Sequence, residues 1–319
     1  MEDVIVSIVI VCMNNLDNLY PCLGSIRKHN KSINYETFVV AYLFTEENLL
    51  RAKKDFPWVI FIESNEIRGF SENNNLALRQ AKGKYCLVLN DDTEMVDSLI
   101  EKLVDSFEQL PNNVAIVSPP TYYKDGTIQS CGKPPVTTLK YALALFGMWN
   151  GQDAKSKYTY QKGLFKTYNI IGAAFLIKTS IFKSLGWFDE KYFFSPEDLA
   201  LSTTLNKMGY SCYVNADLKL IHYEGKTRKV SLLYAAIKPA TLKGNLIFFS
   251  HGKTTLFWLL ALLNLIRTVP SSLYHGIKYL FNHKKVEYAL MKGHYNCIEA
   301  CITKKTPKEL FVKFYKEIK

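Results

Sequence analysis

Five side chains stand out by type and position before any fold is assumed. Asp91 and Asp92 end the apolar run "CLVLN" (86–90), Glu197 and Asp198 follow Pro196, and His222 closes "LKLIH". Adjacent carboxylates repel each other. A divalent cation carrying a diphosphate would relieve that repulsion, because hard cations take oxygen ligands. A solvated turn with a helix cap gives the same pair, and Glu94 reads as a further acid of that turn, before the next helix. Glu197 and Asp198 also suit a helix start, where the dipole favours acids. The aromatic stretch "GWFDEKYFF" precedes them, and burial beside it would raise a carboxyl pKa, as a general base requires. A neutral His222 imidazole would serve a metal such as manganese, or act only as a structural histidine. After it, Lys226, Arg228 and Lys229 form a basic loop that could close over phosphates or stay solvated.

The elements that must hold these residues follow from hydrophobic patterning. "VSIVIVCM" (6–13), 35–44, 58–63, 86–90 and "NVAIVSPP" read as strands, and the stretches between them as helices. Ser71 is a natural N-cap for one of these helices and Gly83 its stop. Strands alternating with helices predict an α/β fold, a mostly parallel sheet with helices on both faces. Ligands then bind beyond the carboxyl ends of the strands, where Asn14, Asp91 and Asp92 fall. Residues 169–178 read as a strand, 179–185 as a helix, then a helix from Pro196 and strands at 210–214 and at "LKLIHYEG". The segment "PPTYYKDGTIQSCGKPPVTT" reads as loop or hairpin.

The last 90 residues read as helical. The run Leu256–Leu263, interrupted by Asn264 and Arg267, is shorter than the roughly 20 apolar residues of a spanning helix. It fits a core helix, a dimer contact or a helix lying in a bilayer surface. From Lys226 onward there are 17 Lys/Arg against 4 Glu and no Asp, whereas the first 225 residues hold 23 basic and 25 acidic side chains. The formal charge of +11 therefore belongs to the C-terminal third. Such a segment suits an anionic surface such as phospholipid, a lipid pyrophosphate or nucleic acid. The predicted division is 1–225 and 226–319. Seven Cys without zinc spacing predict reduced thiols in a cytoplasmic protein, and the N-terminus lacks the basic start of a signal peptide.

Singly these features are weak, but their order along the chain is not. The strings "VSIVIVCMNN", "GFSENNNLAL", "LVLNDDT", "IIGAAFLIKTSIFKSLGWFDEKYFFSPEDLAL" and "LIHYEG" together resemble the inverting nucleotide-sugar glycosyltransferases of family 2, with a GT-A fold. The late strings "LKGNLIFF" and "YALMKGHYNC" are similar to the helical C-terminal parts of rhamnosyltransferase-like members. The resemblance implies a hexosyl or deoxyhexosyl transferase using Mg²⁺ or Mn²⁺ and a UDP- or dTDP-linked donor. Asp92 would be the principal metal ligand and His222 the second, with Asp91 and Asn90 near metal and ribose. Asp198 would be the base and Glu197 its neighbour at the acceptor. Cys12, Met13 and Asn14 would line the nucleoside pocket. Arg68 and Asn74 would lie near ribose or diphosphate, with Lys226 and Arg228 also at the donor. Trp187 and Asp189 would face the acceptor, a cell-surface glycan or lipid-linked sugar at the inner face of the membrane.

The sequence departs from that pattern in places. The Asp usual at the end of the second strand is replaced by Ala41 and Tyr42, the aromatic after the first strand is Met13, and "EDxD" reads "EDLA" with Ala200 last. Nucleobase contacts are thereby left open. Two other classes compete with this reading. A sugar-phosphate nucleotidyltransferase usually opens with a Gly-rich phosphate loop and an Arg, which "VCMNNLDN" lacks. A non-enzymatic basic module for membrane or nucleic acid explains the charge but not Asp92, Asp198 and His222. The transferase reading therefore expects no nucleic-acid partner, peripheral membrane contact, and a homodimer as an open alternative.

Overall fold

The computed structural model describes residues 3–149, 161–223 and 231–318. In chain order the elements are β1 (Val6–Cys12), α1 (Leu16–His29), β2 (Tyr35–Tyr42), α2 (Glu46–Asp55), β3 (Ile60–Ser64), α3 (Phe70–Leu78), β4 (Tyr85–Asn90), β5 (Thr93–Met95), α4 (Leu99–Glu108), β6 (Val114–Ser118), β7 (Thr121–Tyr122), β8 (Ile128–Ser130), α5 (Thr138–Leu145), β9 (Leu164–Thr167), β10 (Ala174–Lys178), α6 (Thr179–Ser184), α7 (Glu197–Lys207), β11 (Ser211–Asn215), β12 (Leu220–His222), α8 (Tyr234–Phe249), α9 (Thr254–Asn282), α10 (Lys285–Ile302) and α11 (Pro307–Ile318). They form two compact units. The first holds the described residues of 3–135, 161–189 and 198–223, and the second those of 136–149, 190–197 and 231–318. The C-terminal unit thus also recruits α5 and the segment 190–197, which a single cut at residue 225 does not foresee.

The first unit is built on an eight-stranded sheet ordered β3-β2-β1-β4-β10-β6-β11-β9. Strands β3, β2, β1 and β4 run parallel, β10 is antiparallel to both β4 and β6, β11 is parallel to β6, and β9 is antiparallel to β11. Strand β1 is buried on both faces, as expected of a strand covered by helices. Val6, Ile8, Ile10 and Cys12 enter one core and Val9 the other. Helix α1 covers the first of these cores with Leu19, Cys22, Leu23 and Ile26, one face of a 3.6-residue repeat. Each of the leucine and isoleucine side chains contributes about 1.5–3 kcal/mol over its exposed state. Gly83 packs against β1 so closely that a Cβ would stand 2.5 Å from the Ser7 nitrogen. That close approach, not a helix stop, explains the glycine, since α3 has already ended.

Chain order reverses at the β1/β4 pair, with β2 and β3 on one side and β10 on the other. Such a switch point leaves a crevice beyond the strand ends. Register places Val11 opposite Asn90, so the residues after β1 and β4 meet there. A second, four-stranded sheet, β5-β12-β7-β8, is built from strands of two or three residues. Glu94 belongs to β5, opposite Ile221, and not to a turn.

The C-terminal unit is helical and close-packed. A Cβ on Gly293 of α10 would stand 2.6 Å from the Tyr234 ring of α8, and one on Gly244 of α8 would stand 2.3 Å from the Ser195 carbonyl oxygen. The expectation of a short apolar segment near residue 256 is corrected. It lies in α9, whose 29 residues make it long and apolar enough, by length and composition, to cross a membrane. Asn264 does not interrupt the helix because its amide is buried, donating to the Leu260 carbonyl at 2.8 Å.

Candidate active site

The Asn90–Thr93 turn carries the first acids. Thr93 Oγ1 donates to the Asn90 carbonyl at 2.8 Å and tightens the turn. Cys22 supports it from beneath, its sulfur 3.7 Å from the same oxygen. Asp91 turns inward toward the end of β1, where the Cys12 thiol hydrogen-bonds to it. Burial, opposed by that hydrogen bond and assisted by the charge of Asp92, raises the Asp91 carboxyl to about 6. Burial, together with the Asp91 charge, pushes the Cys12 thiol far above its ordinary range. Cys12 is therefore a packed thiol and no nucleophile.

The small sheet brings His222 to Asp92. In the β5–β12 ladder His222 stands opposite Thr93, and the Tyr223 N–H donates to the Asp92 carbonyl at 2.9 Å. His222 Nε2 then lies 3.2 Å from Asp92 Oδ1, both side chains largely buried. On the other side of the ring, Nδ1 lies 2.7 Å from Gln129 Oε1 of β8. An amide oxygen only accepts, so Nδ1 keeps its proton and Nε2 is the atom turned toward Asp92.

Two ligands at about 2.1 Å in neighbouring octahedral positions stand about 3 Å apart, close to the observed separation of Asp92 Oδ1 and His222 Nε2. Among the described residues no cluster of three or more His, Cys, Asp and Glu side chains is arranged to hold a metal unaided. The donor set thus fits an ion whose remaining ligands come from substrate oxygens and water, as is usual for Mg²⁺ with a nucleotide.

Asp198 reaches the same end of the sheet by another route. The Asn90 N–H donates to the Ala173 carbonyl at 2.9 Å, fastening the segment before β10 to the acidic turn. The adjoining Gly172 faces Asp198, and a Cβ there would stand 3.5 Å from Asp198 Oδ2. The Ile170 N–H donates to Ser202 Oγ on α7 at 3.2 Å, which fixes that helix against the segment. Asp198 is half-buried, and its Oδ1 accepts from the Leu199 N–H at 2.7 Å. Glu197, its neighbour in the chain, belongs to the C-terminal unit.

The other expected site residues are placed less uniformly. Met13 is exposed beyond β1. Asn14 has a left-handed backbone, and its Oδ1 accepts from Thr45 N and Asn48 Nδ2, tying the loop to α2. Arg68 pairs with Glu66 at 2.8 Å and donates to Ser64 Oγ. Asn74 is buried and donates to the Phe70 carbonyl at 2.9 Å within its own helix. That helix has its N-cap two residues before Ser71, at Gly69, whose N–H is capped by Glu72 at 3.0 Å. Trp187 packs on Phe182 with a left-handed backbone, and Asp189 is exposed beside it. Lys226 and Arg228 lie outside the described residues. At the end of β2, the Tyr42 hydroxyl accepts the Arg68 N–H at 3.3 Å.

Two residues escaped the sequence reading. Gln129 sits in a hairpin whose strands are too short for a readable alternation. Asn75 exchanges two hydrogen bonds with the Phe188 backbone, at 2.9 and 3.1 Å, and so holds the Trp187–Asp189 loop. The run "ENNNLAL" was a visible signal, because buried amides inside a helix need specific partners.

A mixed sheet with an acidic turn at its switch point and a histidine delivered by a small second sheet defines the GT-A class of transferase fold. Residues 7–186 match the family described as Glycosyl transferase family 2, and the chain belongs to that family. Among curated relatives it is 27% identical over 231 residues to the O-antigen biosynthesis protein RfbC of Myxococcus xanthus, a match covering 69% of this chain and 17% of that protein. The chain therefore spans about a sixth of that relative's length. Among solved structures, GalNAc-T7 with UDP, GalNAc and Mn²⁺ is similar at TM-score 0.55 and 14% identity, over 69% of this chain and 44% of that one. A mannosyltransferase from Pyrobaculum calidifontis in complex with GDP-Man and Mn²⁺ is similar at TM-score 0.52 and 15% identity, over 98% of this chain and 79% of that one. Both share the fold.

Proposed function

We propose that this chain transfers a hexosyl or deoxyhexosyl group from a UDP- or dTDP-linked donor to a hydroxyl of a glycan or lipid-linked acceptor, with inversion. The observation that carries this reading is the joining of two chemistries at one sheet end. Asp92 of the Asn90–Thr93 turn meets His222 of β12, and the Asn90–Ala173 hydrogen bond ties that turn to the segment facing Asp198.

In the reaction, Asp198 accepts the proton of the acceptor hydroxyl. The freed oxygen pair forms the bond to the anomeric carbon as the bond to the diphosphate oxygen breaks on the opposite face. The departing electron pair stays on the nucleoside diphosphate. Asp92 and His222, with Asp91 beside them, would hold Mg²⁺ or Mn²⁺, whose charge would stabilise that leaving group. No nucleophilic side chain is required, in keeping with the buried state of all seven cysteines. The UDP, GalNAc and Mn²⁺ of one similar structure and the GDP-Man and Mn²⁺ of the other support a nucleotide-diphosphate-sugar donor with a divalent metal.

The relative's name supports a cell-surface glycan as acceptor. Free, buried cysteines and the basic C-terminal region support a cytoplasmic protein working peripherally at the inner membrane face. A thermal-shift screen of UDP, dTDP and GDP with and without Mn²⁺ tests the reading. Metal-dependent stabilisation by one nucleotide is expected, because ligands that bind the folded state stabilise it. Failure of every nucleotide to shift the transition would contradict it.

A further inference from the structure

Helix α9 is built inside out. Its buried positions are Leu260, Ala261, Asn264, Thr268 and Ser272, mostly small or polar. Its exposed positions are large and apolar: Leu259, Leu262, Ile266, Leu273, Ile277 and Leu280, with Phe281 85% exposed at the end. Their spacings of three, four and seven residues put them on one face about 32 Å long. Only 22% of the most apolar 18-residue stretch is buried. A soluble core helix shows the reverse pattern. Small and hydrogen-bonding residues toward protein, with large aliphatics outward, is the arrangement of helices whose outer neighbour is lipid.

The polar contacts of the inner face are satisfied within the unit. Ser272 Oγ donates to the Met291 carbonyl at 3.1 Å, and His275 Nδ1 meets Glu287 at 2.6 Å. Charge decides between lipid and a second copy of the chain. Helix α9 contains Arg267 and Lys278 and no acid, and it is flanked by Lys253, Lys284 and Lys285. A helical zipper between copies would place paired opposite charges beside the seam, and none exist here. Lys278 pairs with Glu287 of α10 at 3.3 Å, and anionic head groups match the charge of Lys253, Arg267, Lys284 and Lys285. The packing of α10 decides between lying flat and crossing. A span would carry Glu287, Lys292 and Glu299 of α10 into hydrocarbon, which is strongly unfavourable.

We propose that the outer face of α9 inserts, parallel to the membrane plane, into the boundary between head groups and acyl chains of an anionic bilayer. This deepens the reading of a transferase working on membrane-borne acceptors. It fixes which surface meets lipid.

The test uses the full chain in flotation with phosphatidylcholine vesicles, with and without phosphatidylglycerol, and quenching of Trp258 by brominated acyl chains. The wild type is expected to float with anionic vesicles and to be quenched. The variant carrying Leu262→Glu, Leu273→Glu and Leu280→Glu, all exposed positions, should lose at least about ten-fold in partitioning. Leu273→Ile should behave as wild type. Nucleotide binding with Mn²⁺, read in parallel, reports separately on the fold and on the donor site. Equal flotation of the triple variant overturns the proposal. So does a wild type that ignores vesicles but dimerises through this face, with the triple variant monomeric.

Discussion

His222 Nδ1 and Gln129 Oε1 are 2.7 Å apart, on strands that only the small second sheet brings together. Gln129 thereby holds the imidazole in the tautomer that turns Nε2 toward Asp92. Partners of this kind typically govern metal affinity by about 10–100-fold. Gln129→Leu should weaken Mn²⁺-dependent nucleotide binding by that factor, measured by titration calorimetry. Gln129→Glu, which keeps an acceptor at the same place, should retain most of it. Equal affinity in all three proteins would show that the contact serves packing only.

Asp198→Asn keeps the shape of the side chain and removes its basicity. Turnover should fall about 10²–10⁴-fold, the usual worth of a general base, while nucleotide affinity stays near wild type. The Asp198 carboxylate lies against Gly172 on a segment fastened to Asn90, so loss of donor binding would point to a displaced turn instead.

The raised carboxyl of Asp91 makes a pH prediction. Its folded value of about 6 exceeds the ordinary 3.8, chiefly through burial. Between these values the folded chain holds a proton that the unfolded chain has released. The contribution of this group to stability is therefore present below about pH 4 and is lost as pH rises through about 6. A bound cation favours the ionised carboxylate, so stabilisation by Mn²⁺ and nucleotide should grow as pH rises through about 6. Thermal unfolding between about pH 5 and 7.5 measures this, and Asp91→Asn should flatten the part of the profile due to this residue.

Gly244→Ala tests the seat of the segment that leads into Asp198. The added Cβ would stand 2.3 Å from the Ser195 carbonyl oxygen, and backbone gives way less readily than a flexible side chain. A cost of about 1–3 kcal/mol is expected, read as a lower unfolding temperature. Turnover should fall with it, because Glu197 and Asp198 come only two and three residues after Ser195. An unchanged unfolding temperature would mean that the helix and segment move apart freely.

Much of the chemistry was legible in the sequence because it lies at the ends of strongly patterned strands. The runs leading to Asp91 and Asp92 and to His222 are mostly apolar, as strands buried in a sheet are, and their ends mark where ligands bind. The inside-out character of α9 was not legible. An apolar run looks alike whether it faces a core or lipid, and its helix proved much longer than the run itself. Nor could Gln129 be read, since strands of two or three residues have no period. The adjacency of Asp91 to Cys12, of Asp92 to His222 and of Asp198 to Gly172 follows from sheet order and register. Residues far apart in the chain meet only when strand pairing closes between them. Sequence by itself set the residue types, the main strands and the basic end of the chain. Tertiary structure decided which of those side chains face one another, because hydrogen-bonded pairing and burial, not chain proximity, fix their distances.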